Sequence, residues 1–400
     1  MGSYLNPGNF SFRGSLRSKI YVDKSKLIAK TNEVLCTEQK YICVSRPRRF
    51  GKSMAANMLA AYYDRSENTE DLFQNLAISR EKSYEENLNQ YDVIKINMQE
   101  FLSMAGTIEK MLEMLKDYLV VDFEEAYPEV RFRDKNNLIQ TMKDVFSYTK
   151  CPFVILIDEW DCLFREYKQD KEAQKKYLDF LRAWLKDKDY IAMAYMTGIL
   201  PIKKYGSHSA LNMFTEYSMT DPGGLAEYFG FTEPEVSAIC EKYGMSFEEA
   251  KTWYDGYQLV AHRQWKDECY SMYNPKSVVE AMLRHKFGTY WNQTETYEAL
   301  KIYIQMDMDG LKASVIRMLT GDSVPINTGT FSNDMTTFAT KDDVLTLLVH
   351  LGYLTYNSID GTVSIPNKEV SQEYINAIST MNWHGVADSV EASRKLLAFY

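Results

Sequence analysis

Gly51, Lys52 and Ser53 follow the basic stretch Arg46-Pro47-Arg48-Arg49-Phe50, and far downstream the apolar run Val154-Ile155-Leu156-Ile157 ends in Asp158-Glu159. A phosphate chain needs inward-pointing backbone N–H groups, the positive end of a helix, a mobile cation and a hydroxyl for a divalent metal. The first segment offers all four. Gly51 lets the backbone approach phosphate, Lys52 can reach the β and γ groups, and Ser53 can present its hydroxyl to Mg. Pro47, Arg48, Arg49, Phe50, Gly51, Lys52, Ser53 and Met54 are therefore the expected nucleotide-contacting stretch. A carboxylate at a buried strand tip can join Ser53 on Mg, and a second carboxylate directly after it can orient and deprotonate water. Asp158 takes the first role and Glu159 the second. The expected ligands are ATP and Mg. Two departures accompany this reading: the pattern G-x-x-x-x-G-K-S places its first glycine where Arg46 stands, and Gly-Lys-Ser alone also fits a basic strand-to-helix turn.

The elements that must hold these residues follow from periodicity. Tyr41 to Val44 reads as a strand leading into the loop, and the helix after it carries Met54, Met58, Ala61 and Tyr62 on one face. Val93 to Met98 is a second strand, followed by helical patterns near 107–126 and 136–149, the latter with Leu138, Met142, Val145 and Phe146 together. Phe153 to Ile157 is a third strand, apolar throughout as a strand covered on both faces should be. Tyr177, Phe180, Leu181, Trp184 and Leu185 form a helical stripe, Tyr190 to Met196 a fourth strand ending at Thr197-Gly198, and Glu216 to Met219 a fifth. Such alternation predicts an α/β fold, a parallel sheet flanked by helices. The extra strand before the Asp-Glu strand suits the P-loop NTPase subclass with a glutamate base. There the next strand inserts beside the loop strand, and Thr197 at its tip would face the γ-phosphate as a catalytic group. An ordinary strand-end threonine is the alternative, and Asn212 is a weaker candidate for the same neighbourhood. Asp161 is expected as a helix N-cap. Arg46, Arg48 and Arg49 can neutralise phosphates, receive a neighbouring subunit, or form a surface ion-pair network with the acidic strand end.

Composition narrows the remaining classes. The chain has 400 residues, 45% of them hydrophobic, enough for two or three domains. It contains no apolar stretch of membrane-spanning length and no export signal at its start, so a cytoplasmic protein without membrane contact is expected. Cys36, Cys43, Cys151, Cys162, Cys240 and Cys269 form no C-x-x-C pair, and the five histidines lack ligand spacing. No metal cage beyond nucleotide-borne Mg is expected. A net charge of −9 speaks against non-specific nucleic-acid binding by the surface as a whole.

The order Tyr21-Val22-Asp23-Lys24, Arg46-Pro47-Arg48-Arg49-Phe50-Gly51-Lys52-Ser53, Leu156-Ile157-Asp158-Glu159-Trp160-Asp161 and Thr197-Gly198 resembles the bacterial AAA-ATPase-like proteins, as do later motifs. These are Phe231-Thr232-Glu233, Tyr254-Asp255-Gly256-Tyr257, Tyr273-Asn274-Pro275, Tyr290-Trp291 and Gly352-Tyr353-Leu354-Thr355. In that family an arginine stands at the first glycine position, which makes Arg46 a family trait. The resemblance also implies a C-terminal PD-(D/E)xK nuclease domain. The stretch after Asn367 is too short for such a core and carries no Asp…Glu-x-Lys set, so either the chain is cut short or this member lacks the domain.

The expected organisation is a P-loop ATPase domain over 1–230, a helical lid-like domain over 231–340, and a winged-helix-like unit with a helical tail over 341–400. In the last, Asp342 to Leu351 is a helix stopped by Gly352, and the turn Ser358-Ile359-Asp360-Gly361 joins two short strands. The expected function is ATP hydrolysis coupled to conformational change. A nucleotide-dependent switch with little turnover and an ATP-regulated DNA-binding module for an associated nuclease are the alternatives. Expected partners are ATP, a nuclease domain or partner protein, and a second copy in a homo-oligomer; DNA is left open, unsupported by charge.

Overall fold

The computed structural model describes residues 2–202, 211–262, 266–291, 296–306, 308–332, 335–379 and 381, with 296–299 as backbone alone. The helical tail expected beyond residue 381, together with His208 and His384, lies outside the described residues. The chain divides into two compact units: Met1–Ser45, Gly51–Tyr217 and Asn333–Thr336 in the first, Arg46–Phe50, Ser218–Ser332 and Thr337–Tyr400 in the second.

In the first unit, runs that are apolar at successive positions have to be covered on both faces. β1 (Tyr41–Ser45), β3 (Phe153–Asp158) and β4 (Ile191–Gly198) are buried at every position. With β2 (Asp92–Asn97) and β5 (Thr215–Tyr217) they form one sheet in the order β2-β3-β4-β1-β5, every pairing parallel. The strand that follows the Asp-Glu strand is thus inserted beside the loop strand, as the sequence reading requires. All five C-terminal tips lie at one edge, where parallel α/β sheets present their sites.

Five helices accompany that sheet. α1 (Lys52–Tyr63) starts directly after the loop from β1, and Met58, Ala61 and Tyr62 are buried on it. Met54, one turn before Met58, is instead 45% exposed. α2 (Ile108–Ala126) and α3 (Leu138–Thr149) begin at side-chain caps, Thr107 on Lys110 N–H and Asn137 on Gln140 N–H. After β3 comes the short α4 (Cys162–Glu166), then α5 (Lys171–Leu185), whose Tyr177, Leu181, Trp184 and Leu185 are buried as their spacing predicts.

The second unit holds more strand than its sequence suggests. β6 (Phe231–Thr232), β7 (Tyr257–Ala261) and β8 (Glu268–Tyr273) form an antiparallel sheet in the order β6-β8-β7. Tyr257 opens β7 and Tyr273 closes β8, and Tyr257-Gln258-Leu259-Val260-Ala261 pairs along its whole length. α6 (Glu233–Tyr243) has a capping box of Thr232 and Glu235, and α7 (Phe247–Tyr254) follows. α8 (Pro275–Arg284) starts where Asn274 accepts from Ser277 N–H, with Pro275 in the first turn. The Tyr273-Asn274-Pro275 motif is therefore a strand end followed by a helix cap. β9 (Val324–Pro325) completes a second antiparallel sheet with β10 (Thr355–Asn357) and β11 (Thr362–Ser364), order β10-β11-β9. α9 (Lys341–Leu351) precedes this hairpin and stops at Gly352, φ +88°; α10 (Lys368–Ser379) follows it. From α10, Glu369 accepts N–H bonds from Tyr290 and Trp291 at 2.5 and 2.9 Å, which accounts for the Tyr290-Trp291 motif as an anchored turn.

Among the described residues no helix is long and apolar enough to cross a membrane.

Candidate nucleotide site

Four strand tips lie side by side at the C-terminal edge of the first unit's sheet. The register sets Asn97 of β2 beside Asp158 of β3, Ile157 beside Met196 of β4, and Val44 of β1 beside Thr197. Asp158 is 4% and Thr197 0% exposed, and the Thr197 hydroxyl donates to Asp158 Oδ1. The Glu159 N–H donates to the same oxygen at 3.0 Å. Glu159 itself has φ +53°, a left-handed backbone that a non-glycine residue adopts at a cost and that clusters at functional sites. Trp160 N–H then returns to Thr197 O at 3.0 Å, locking the turn after β3 onto the tip of β4.

Asp161 stands at the first position before α4, yet its side chain makes no cap bond. It is wholly buried and accepts instead from Ile199 N–H at 3.0 Å and Leu200 N–H at 2.9 Å. A carboxylate next to two consecutive free amides gains more there than at a five-residue helix. Arg165 from α4 pairs with Glu159 and sets its Nε 3.3 Å from Asp161 Oδ2. The acidic strand end thus draws its arginine from its own helix. Arg46, one of the residues considered for a surface ion-pair network, is fully buried. The signal for Arg165 was present in the sequence: it is four residues, one helical turn, after Asp161.

Lys52 begins α1 and is 5% exposed. Burial lowers its ammonium below the usual lysine range, while Glu159, Asp158 and Asp161 pull it back up. Glu159 is raised by burial, opposed by Arg165 and then by Lys52. Burial works against the charge of Arg165, but Asp161 and Glu159 outweigh it and hold the guanidinium charged. Three carboxyl groups therefore face two cations around one helix N-terminus.

Gly51, φ +93°, is the N-cap of α1. Only a residue without Cβ takes that backbone freely, and it turns the chain so that the first amides of α1 point out of the helix end. Ser53 is exposed in that first turn. Arg49 is exposed with φ +71°, Arg48 half-buried, Pro47 and Phe50 buried. Asn212 accepts from Lys186 Nζ at 3.3 Å, and Arg182 lies exposed on α5.

Residues 12–207 match the family described as AAA-ATPase-like, predicted AAA-ATPase. That segment is the part of the chain that resembles the family. The sheet order and the glycine-lysine-serine turn are those of a P-loop fold. An uncharacterized protein in the vnfD 5' region of Azotobacter chroococcum mcd 1 is 24% identical over 287 residues, covering 69% of this chain. The chain spans about half, 51%, of that relative's length. Among solved structures, the Aeropyrum pernix ORC2 protein in ADPNP–ADP complexes aligns at 8% identity over 95% of this chain and 98% of that one, TM-score 0.36. The A. pernix ORC1 protein in complex with DNA aligns at 12% identity over 96% and 99%, TM-score 0.29. Both likenesses are too distant to bear on function.

Proposed function

We propose that the protein binds ATP with Mg and hydrolyses it to ADP and phosphate. The observation that carries this reading is the convergence of Lys52, Asp158, Glu159 and Thr197 at one sheet edge, beside the N-terminus of α1. Pro47 to Phe50 lead into that turn and, with Gly51 to Met54, are proposed to follow the phosphates. Lys52 neutralises the β and γ groups. Ser53 and Asp158 are the oxygen donors for Mg, and Thr197 orients Asp158 through its hydroxyl. Mg, when bound, supplies charge neutralisation at the outer phosphates. Glu159 takes a proton from the attacking water as the water oxygen bonds to the γ-phosphorus and the bond from that phosphorus to the β–γ bridging oxygen breaks.

Hydrolysis by Glu159 is tested with Glu159→Gln, which should bind Mg-ATP as the native protein does and release phosphate at least about a hundredfold more slowly, the scale of a lost general base. Equal turnover would remove Glu159 from the role. One observation favours the second reading, a nucleotide-dependent switch with little turnover: Glu159 is engaged by Arg165. Tight Mg-ATP binding beside negligible phosphate release in the native protein would select that reading.

A further inference from the structure

The loop that precedes Gly51 is built into the second unit, to which Arg46–Phe50 belong. Phe50 O accepts the N–H of Gly230 at 3.1 Å. The Phe50 ring stands edge-on to Tyr257, centroids 5.1 Å apart at 89°. The guanidinium of buried Arg46 lies over the Phe229 ring, 5.5 Å from its centroid. Pro47 rests against Gly352 so closely that a Cβ on that glycine would lie 2.8 Å from Pro47 Cβ. The Tyr257 hydroxyl donates to Gly352 O at 2.9 Å and so ties two of these contacts together. Gly230 and Gly352 both have left-handed backbones, φ +95° and +88°, and neither accepts a side chain without moving the loop or straining itself.

We infer that Phe229, Gly230, Tyr257 and Gly352 are positioning residues for the phosphate loop, so that the packing of the second unit sets the affinity for nucleotide. This rests on the nucleotide-binding reading above. It gives a purpose to the motifs Tyr254-Asp255-Gly256-Tyr257 and Gly352-Tyr353-Leu354-Thr355, which the chemistry of the site leaves unused. A loop that must aim successive amides at phosphate has to be held before the ligand arrives, or the ordering cost is taken from binding. With Arg46 in the first glycine position, the hold comes from outside the loop: a carbonyl tied by Gly230, a ring wedged by Tyr257, a proline backed by Gly352. Coupling of this kind is reciprocal, and bound nucleotide in turn stabilises the packing around Gly230 and Gly352.

The test uses the full chain and Mg-ATP. Hydrogen exchange with and without the ligand should show new protection in 51–58 and 157–160, and also in 229–231 and 352–357. Gly352→Ala, which drives a methyl onto Pro47, should weaken Mg-ATP binding about tenfold or more, the effect of some 1.4 kcal/mol. Gly361→Ala is the control: its φ is +64° and nothing lies within 4 Å of the added Cβ, so it brings backbone strain to the same unit without touching the loop. Its affinity should stay within about twofold of native. Tyr257→Phe, which deletes one buried hydroxyl and keeps the ring on Phe50, should weaken binding about threefold to fivefold and serves if Gly352→Ala does not fold. Protection in neither region would overturn the nucleotide reading and the inference with it. Protection confined to 51–58 and 157–160, or native affinity in Tyr257→Phe with Gly352→Ala matching Gly361→Ala, would overturn the inference alone.

Discussion

Arg165 is the counter-ion on which the acidic strand end depends, and Arg165→Met measures that dependence. Methionine keeps the apolar stem and deletes the guanidinium. The lost group sits 3.3 Å from the fully buried Asp161 carboxylate and is itself 10% exposed. At 3.3 Å and an effective dielectric of about 20 the attraction is about 5 kcal/mol before desolvation. Removing one partner of a buried pair costs about 3–5 kcal/mol, because the other is left charged and unmatched. Asp161 keeps the amides of Ile199 and Leu200 at 3.0 and 2.9 Å. The expected loss is therefore about 3 kcal/mol, a fall in Tm of about 6–12 °C for a unit of this size. Calorimetry reads it, with the exposed Arg182→Met as a control that should move by no more than about 1 °C. A loss below about 2 °C in Arg165→Met would refute the counter-ion argument. The same variant has a kinetic signature. Burial already raises the Glu159 carboxyl, and Arg165 is the first group holding it down. Without Arg165 the carboxyl titrates higher still. A base that works as carboxylate loses activity as pH falls through its pKa, so the acid limb of ATP hydrolysis should move to higher pH. An unmoved limb would contradict the pairing.

Glu369 is pushed up from 4.5 to about 7, chiefly by burial, against the amides of Tyr290 and Trp291 and with Glu373 adding to the rise. A folded-state value above the unfolded one gives stability that is full below about 4.5 and lost as pH rises through about 7, worth about 3 kcal/mol. Urea midpoints at pH 5 and pH 8 should differ less in Glu369→Gln than in the native protein, and an identical difference would rule the group out. Thr197→Val removes the hydroxyl that Asp158 accepts and should cost about 1–3 kcal/mol of stability and raise the Mg concentration needed for half-maximal ATP binding. An unchanged Mg titration would show that Thr197 does not act through Asp158. Gly198→Ala would set a Cβ 2.8 Å from Asp161 Oδ1 and from the Trp160 ring, and an overpacking loss of about 1–3 kcal/mol is expected in denaturant unfolding. Native stability in that variant would mean the turn after β3 can yield.

The sheet was legible in the sequence because its strands are covered on both faces: runs such as Phe153 to Ile157 have no other place to go. Helix starts at Thr107 and Asn137 were equally readable, since cap and periodicity agree there. What escaped depends on contacts between residues far apart in the chain. β7 and β8 are short, interrupted by Gln258, Glu268 and Ser271, and are defined by their antiparallel pairing. Asp161 sits where a cap belongs, but the tip of β4 supplies two amides that no local pattern announces. The arginines of the loop looked like surface charge; Arg46 is buried because Phe229 offers its ring, nearly two hundred positions away. Met54 departs from the helical stripe in the opposite way: it is exposed on a first turn in which Lys52 and Ala55 are buried.

The central claim is that this sheet edge binds ATP through Lys52. Titration calorimetry of the full chain with Mg-ATP tests it most directly, beside Lys52→Ala. Saturable binding by the native protein, weakened at least about tenfold by Lys52→Ala through loss of a charge-assisted contact, is the predicted result. No saturable binding, or equal affinity in the two proteins, would contradict it.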